Sequence, residues 1–389
     1  MKNFVFHNPT KILFGTDTIP FIGKETAAFG KTALLVYGQN SIKNNGIYDQ
    51  VTQALQDAGV TIIEHGGVKS NPVLSHVHQG ISSAKMNNVE VIVAVGGGSV
   101  IDSAKAISAG AKVEHDVWKF FTGRKSIKNA LPLTCVLTLA ASGSEMNSGM
   151  VITNEDTKQK FGFANKHLSP RVSILDPTAT FSVSPAYTAY GAVDAIAHIL
   201  EFYFTNKEPY TPVQDRFMEG LVISCMDSCN RVLQNLEDYD ARADLMWAAT
   251  LALNGLTGAG LGKVGFPMHM IEHSLSALYN VAHGAGLSVV MPGWMAYQAQ
   301  RTPEIFAQFA ERVFGITSGS TEKKAAAGIQ TLLSWFVKVK SPTSLTALHI
   351  PVQDMPMIAE NAVALAQVWG MKEYTQEKIE DILKKITTQ

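Results

Sequence analysis

Cysteine is scarce in this chain, with three residues in 389. Three thiols cannot build a disulfide framework. Cys225 and Cys229, spaced i,i+4 on a predicted helix, read as small buried side chains rather than as a metal pair. That usage fits a reducing compartment, and a cytoplasmic protein is expected. An excess of charge is also missing. Lys+Arg 32 against Asp+Glu 33 leaves a net charge of −1, and no basic run stands out, which argues against nucleic acid and anionic membrane as partners. No uninterrupted apolar run is long enough to span a bilayer, and the residues after Met1 do not form an apolar signal core. Internal repeats and low-complexity segments are absent, as are the GxGxxG fingerprint and a P-loop Gly-Lys-Ser/Thr. What remains is 46% hydrophobic and 17% charged, an ordinary folded composition, and at 42.0 kDa it is long enough for two cores.

The first half alternates β-rich runs with amphipathic stretches. Strands are predicted over 33–37, 61–64, 89–95, 133–139 and 172–175, with helices over 48–58 and 75–86 between them. This alternation predicts a mostly parallel sheet covered by helices. Residues 151–153 and 160–163 read as a hairpin appended to it. After Asp176-Pro177 the pattern changes, and Ser184-Pro185 is a helix-start signal. Helices are predicted over 186–203, 213–236, 242–256, 268–278, 287–300, 303–314, 322–337 and 376–387. The fold class is therefore an α/β N-terminal domain, residues 1–183, with a mostly parallel sheet, followed by an all-α C-terminal domain, residues 184–389.

Three histidines fall within fifteen residues in FPMHMIEHSLSALYNVAHG. His269 and His273 are four apart in a run with helical spacing, so both rings project from one helix face. His283 follows a turn-like Tyr279-Asn280 and precedes Gly284, where the backbone can bend the ring back toward that face. Upstream, Asp194 and His198 repeat the four-residue spacing. Any one of these could be a satisfied core histidine. An Asp and three His set in apolar helices point instead to a divalent metal, because unpaired buried polar groups are costly. Spacing alone does not choose between His269 and His273.

Two loops have the chemistry for a dinucleotide. VIVAVGGGSVIDSAK runs a strand into Gly96-Gly97-Gly98-Ser99 and then a helix carrying Asp102 and Lys105. Glycines let backbone amides approach a pyrophosphate, and the helix dipole favours it. A plain βα turn with Ser99 as N-cap is the competing reading. LTLAASGSE offers Thr138, Ser142 and Ser144 to a ribose or phosphate, or simply closes a strand. In ALLVYGQNS the position where an acidic residue often grips the adenosine ribose is the neutral loop Gly38-Gln39-Asn40-Ser41, with Lys43 behind it. This favours NADP(H) over NAD(H).

Taken in order, these motifs resemble the iron-containing (group III) alcohol dehydrogenases along essentially the whole chain, from Asn8–Gly15 to His269–Gly284. The chain is most similar to the branch of NADPH-dependent butanol dehydrogenases and YqhD-type aldehyde reductases, through Tyr37-Gly38, Gln214–Phe217, Met246–Thr250 and Ala252–Leu256. The resemblance implies metal ligation by Asp194, His198, His269 and His283, the metal being Fe(II) or Zn(II), with His273 facing substrate and nicotinamide. It implies dinucleotide binding by Gly97, Gly98, Ser99, Asp102, Thr138, Ser142, Ser144 and Lys160, to which the loop after the strand predicted over 33–37 adds Gly38, Asn40 and Ser41 for NADP(H). It also implies a homodimer joined through an edge strand. Asn147 matches a pocket-lining position, or caps its loop. Two departures stand out: Ser142 replaces the usual Thr, and Ser276 replaces a Gly common between His273 and His283.

The activity this implies is reduction of a small aliphatic aldehyde, or oxidation of the matching alcohol. The cation would polarise the carbonyl, the nicotinamide would carry hydride, and His273 is the candidate proton relay. Phe266, Met270 and Leu275 suggest an apolar substrate. The competing readings are an NAD-dependent polyol dehydrogenase, a dehydroquinate-synthase-like lyase, a nucleotide-dependent phosphotransferase and a non-catalytic metal sensor. The lyase needs a basic, carboxylate-binding site, and the histidine helices carry few Lys or Arg beyond Lys263. A sensor has no need of two cofactor loops.

Overall fold

Why the first half forms a sheet is visible in its strands: TALLVY, VIVAVG and LTCVL carry almost no polar residue, as strands covered on both faces must. The computed structural model describes residues 1–386. Eight strands are formed: β1 (Lys11–Phe14), β2 (Thr32–Tyr37), β3 (Thr61–His65), β4 (Val91–Gly96), β5 (Leu133–Leu137), β6 (Gly149–Asn154), β7 (Gln159–Ala164) and β8 (Val172–Leu175). Six of them make one wholly parallel sheet in the order β1-β8-β5-β4-β2-β3. The expected hairpin is present as β6 and β7, but as a separate two-stranded antiparallel sheet. The short edge strand β1 was not anticipated, since KILF is only four residues long and partly exposed.

The sheet's helices are α1 (Phe21–Ala27), α2 (Ser41–Asn44), α3 (Ile47–Asp57), α4 (Leu74–Met86), α5 (Gly98–Gly110) and α6 (Trp118–Phe121). On one face Ile22, Val51 and Leu55 bury against Leu35, Val93 and Val136. Strand order reverses between β2 and β4, which pair directly with Tyr37 opposite Val95. In open α/β sheets ligands bind outside the carboxyl ends of the strands at such a switch point. The two strand ends there lead into Gly38–Ser41 and Gly97–Ser99.

The later helices are α7 (Pro185–Thr205), α8 (Pro212–Val232), α9 (Tyr239–Ala252), α10 (Pro267–Tyr279), α11 (His283–Ala299), α12 (Pro303–Phe314), α13 (Thr321–Lys338), α14 (Met355–Val368) and α15 (Gln376–Ile386). The expected end of the last helix, Thr387, lies outside the described residues. Helix α14 was not expected.

The chain divides into two compact units. One holds the sheet: His7–Val183 together with Asn235–Asn254. The other is helical: Ser184–Gln234, residues from Gly255 onward, and Met1–Phe6. A division at Val183/Ser184 thus comes with two exchanged segments. Helix α9 belongs with the sheet because its Thr250 hydroxyl donates to the buried Glu145 carboxylate at 2.6 Å. Met1–Phe6 belongs with the helices, where Lys2 N donates to the Gly260 carbonyl at 2.8 Å.

Candidate metal centre and cofactor loops

Helix α7 is buried along nearly its whole length, from Thr188 to Phe204, so every polar residue on it needs a partner. Asp194 and His198 are both buried and project one turn apart. Helix α10 supplies His269. It ends at Asn280, which takes the left-handed conformation at φ 53°, and α11 then starts at His283 itself. The reversal therefore lies at Asn280, in the turn-like Tyr279-Asn280 that the sequence marked, and the further bend expected at Gly284 is absent. Gly284 is helical, and its missing side chain serves close packing: a Cβ there would lie 2.1 Å from the Tyr190 carbonyl oxygen of α7.

Four side chains meet as a result. Asp194 Oδ1 lies 3.4 Å from His198 Nδ1, 3.7 Å from His269 Nε2 and 3.6 Å from His283 Nε2. Asp194 Oδ1, His198 Nδ1 and His269 Nε2 are buried and have no hydrogen-bond partner. Orphaned polar atoms in a dry site are costly. Here a carboxylate and imidazole nitrogens converge at one place, the donor set a divalent cation requires. The residues fit the expected metal.

The electrostatics follow the same geometry. Burial opposes the charge on Asp194, but His198, His283 and His269 hold its carboxyl well below the usual carboxylate range. His198 is pushed down to about 3 by burial and by its histidine neighbours, against the pull of Asp194. His269 goes the other way: burial lowers it, but Asp194 and Glu201 outweigh that and raise it to about 9.

Two carboxylates that the sequence reading missed stand behind this group. Glu201, three residues after His198 on α7, accepts from the backbone N–H of His269 at 2.9 Å and faces its Nδ1 at 3.2 Å. Glu272, on α10, meets Nδ1 of His283 and accepts the Ser276 hydroxyl at 2.5 Å. Their signal was present in the spacing, since each falls one turn from a candidate ligand. His273 is buried on the same helix, with its ring centroid 5.5 Å from His283 and 5.6 Å from Trp369. Glu272, His273 and His283 form a second group whose ligand atoms lie within 4.8 Å of one another. Met270 and Leu275 are fully buried, whereas the Phe266 ring lies 5.7 Å from that of His269.

In the sheet unit, Gly97 is extended and α5 begins at Gly98, leaving the first helical amides without intrahelical carbonyls. A side chain at Gly98 would strike Ser142, whose oxygen lies 2.2 Å from where the Cβ would be. Ser142 Oγ is itself buried with no partner. Ser99 Oγ donates to the Ser70 carbonyl. Asp102 and Ser144 are tied to each other at 2.6 Å, and Asp102 also accepts from Val151 N at 2.9 Å. Thr138 N donates to Gly96 O at 3.1 Å, and Lys160 Nζ reaches Asn71 Oδ1 at 3.1 Å. Asn147 is a loop cap: its amide donates to Gly143 O at 2.9 Å and its oxygen accepts from Gly149 N at 2.8 Å. At the end of β2, Asn40 and Ser41 open α2, and the Gly38 carbonyl accepts from Gly67 N at 2.8 Å.

The network's centre is Lys105, which is fully buried. Its ammonium donates to Ser144 O and Oγ at 2.8 Å, to Gly149 O at 2.7 Å, and to Asn147 O and Oδ1 at 3.0 and 3.1 Å. Burial lowers its pKa to about 8 despite Asp102 nearby.

Residues 9–177 match the family model for iron-containing alcohol dehydrogenase, and residues 188–387 match that of the family's C-terminal domain. Over 386 residues the chain is 40% identical to a probable NADH-dependent butanol dehydrogenase of Bacillus subtilis, covering 99% of each. It is 37% identical to the NADPH-dependent aldehyde reductase YqhD of Escherichia coli, covering 92% of each. The crystal structure of NADH-dependent butanol dehydrogenase A from Thermotoga maritima superposes with a TM-score of 0.95 at 45% identity, covering 99% of both chains.

Proposed function

The chain belongs to the iron-containing alcohol dehydrogenase family, and from that premise we propose that it reduces short aliphatic aldehydes with NADPH, using a divalent metal. The observation that carries the reading is the meeting of Asp194, His198, His269 and His283 around buried polar atoms that have no other partner. When bound, the nicotinamide supplies hydride and the cation supplies polarisation of the carbonyl. The protein's own residues do the rest. Asp194 and the three histidines hold the cation, which is iron by the family's name and equally well zinc by donor type. Amides at Gly98 and Ser99, with the positive end of α5, hold the pyrophosphate. Ser142, with Thr138, offers hydroxyls to it or to the ribose, and Lys160 contributes charge. Asp102 and Ser144 act on the cofactor through the loop that they fix. His273 passes the proton to the reduced oxygen, an imidazole being suited to that role near neutral pH.

The neutral loop Gly38–Ser41 and Lys43 support NADP(H), since no carboxylate in it would repel a 2′-phosphate. Glu64 favours the competing NADH preference, because its carboxylate lies 3.9 Å from the Lys43 ammonium and offsets it. The names of the relatives divide the same way. Rings at Phe266 and Trp369, against His269 and His273, support an apolar substrate. The butanol dehydrogenases among the relatives suggest its size.

The test is oxidation of NADPH by butanal, with NADH in parallel, on protein assayed for metal before and after chelation. Turnover with NADPH that is lost on chelation and restored by Zn(II) or Fe(II) is the expected result. A strong NADH preference overturns the cofactor assignment alone, and activity that survives complete metal removal overturns the metal role.

A further inference from the structure

We propose that Glu201 and Glu272 set the affinity and metal preference of the centre, by fixing the tautomer and aim of His269 and His283, and that Ser276 holds Glu272 in place for this. The proposal rests on the reading that Asp194, His198, His269 and His283 hold the cation.

Both glutamates have no exposed surface, and they come from different helices. A carboxylate is an acceptor only, so the histidine nitrogen facing it must carry the proton. Glu201 faces Nδ1 of His269, and Glu272 faces Nδ1 of His283. In the neutral form of each ring the other nitrogen, Nε2, then keeps the lone pair that a cation takes up. Those two Nε2 atoms are the ones 3.7 and 3.6 Å from Asp194 Oδ1. A wrong tautomer at either ring would aim a proton at the cation. Hydrogen-bonded partners of this kind hold a ligating ring in one orientation.

Both carboxylates are themselves held. Glu201 Oε1 also accepts the backbone N–H of His269, so side chain and main chain of one ligand are gripped by a single oxygen. Glu272 Oε1 accepts from Ser276 one turn along α10. A Cβ at Gly286 would come within 2.6 Å of the same oxygen, so α11 leaves the carboxylate its space. Ser276 stands where the family resemblance leads one to expect glycine. A glycine there would leave Glu272 with one fewer donor, so Ser276 strengthens the grip on His283.

The experiment uses the full chain stripped of metal, titrated with Zn(II) against a competing chelator, and separately loaded with Co(II) for its visible absorption. Glu201→Gln and Glu272→Gln keep an acceptor oxygen but remove the charge. Each should weaken Zn(II) binding about 10- to 100-fold, and Glu272→Gln should shift the Co(II) ligand-field bands. Ser276→Gly should weaken Zn(II) about 3-fold, roughly the share of one hydrogen bond acting through another residue. Asp194→Ala separates the two readings. If it abolishes Zn(II) binding while both Gln variants bind within about 2-fold of the parent, the ligands stand and this proposal falls. If Asp194→Ala binds as the parent does, the ligand reading falls and takes the proposal with it. Circular dichroism of the metal-free variants checks folding. Should either Gln variant fail to fold, Ser276→Gly, which keeps every carboxylate, decides: unchanged affinity and Co(II) spectrum overturn the proposal.

Discussion

The Lys43 ammonium lies 4.6 Å from the centre of the Tyr48 ring and 5.1 Å from that of Tyr37, with the Glu64 carboxylate beyond. Both tyrosine hydroxyls donate to Glu64, at 2.6 and 2.7 Å, and with Lys43 they hold its carboxyl below the usual range. Lys43 is thus parked on two rings beside an anion, yet it is exposed and free to turn toward a phosphate. A charge-assisted contact of that kind has roughly a tenfold effect on binding. Lys43→Ala should therefore raise KM for NADPH about 10-fold and leave KM for NADH within about 2-fold. Steady-state kinetics with both cofactors checks this, and equal effects on the two would show that Lys43 does not read the 2′-phosphate. Lys43 was legible in the sequence because it follows the glycine loop directly. Glu64 was not, since it reaches that loop only through the pairing of β2 with β3. Glu201 and Glu272 were hidden differently. They sit inside the histidine helices in plain view, but spacing cannot tell a carboxylate that binds metal from one that steadies a ligand.

Helix α5 shows what one buried charge does for a whole element. Its first turn carries the glycines, and three turns of apolar residues bury it against the sheet. Lys105 then joins it to the Ser144–Gly149 segment, tying the two proposed cofactor loops to each other. Lys105→Met would leave those oxygens without their donor and Asp102 without its nearby cation. Breaking a buried charged network by removing one partner costs about 3–5 kcal/mol. The expected outcome is a lower melting temperature and NADPH binding weakened at least about 10-fold, with zinc content unchanged. Fluorescence titration and metal analysis check this; loss of metal together with cofactor would show that the network serves more than the loops. The sequence revealed α5 through its strand–glycine–helix order, and it revealed the longer helices through their amphipathic period. It failed at β1, too short to alternate, and at α14, where MPMIAENAVALAQV has only Glu360, Asn361 and Gln367 to mark its polar face. Thr250, on a helix the linear pattern assigned to the second half, bonds Glu145 in the first, and no local period carries that information.

Two chemistries reside in two folding units: the glycine loops in the sheet unit, the histidine cluster in the helical one. Such a division lets a cation act on stability unevenly. Any species that binds only the folded state stabilises it in proportion to the logarithm of its concentration over Kd, and the effect is felt where its ligands are. The proposed ligands come from α7, α10 and α11, and three of their buried polar atoms have no hydrogen-bond partner. Opening of these helices is therefore the step a metal should suppress, while the strands of the parallel sheet owe their protection to ladder hydrogen bonds under apolar cover. Removal of metal should speed amide hydrogen exchange in residues 185–205 and 267–299 and leave β2, β4 and β5 as protected as before. Mass spectrometry of metal-loaded and chelated protein, followed over hours, reads the two sets of peptides in one experiment. Equal deprotection of the strands would mean that the units open as a single cooperative body, and that the cation at the histidines stabilises the cofactor loops as well.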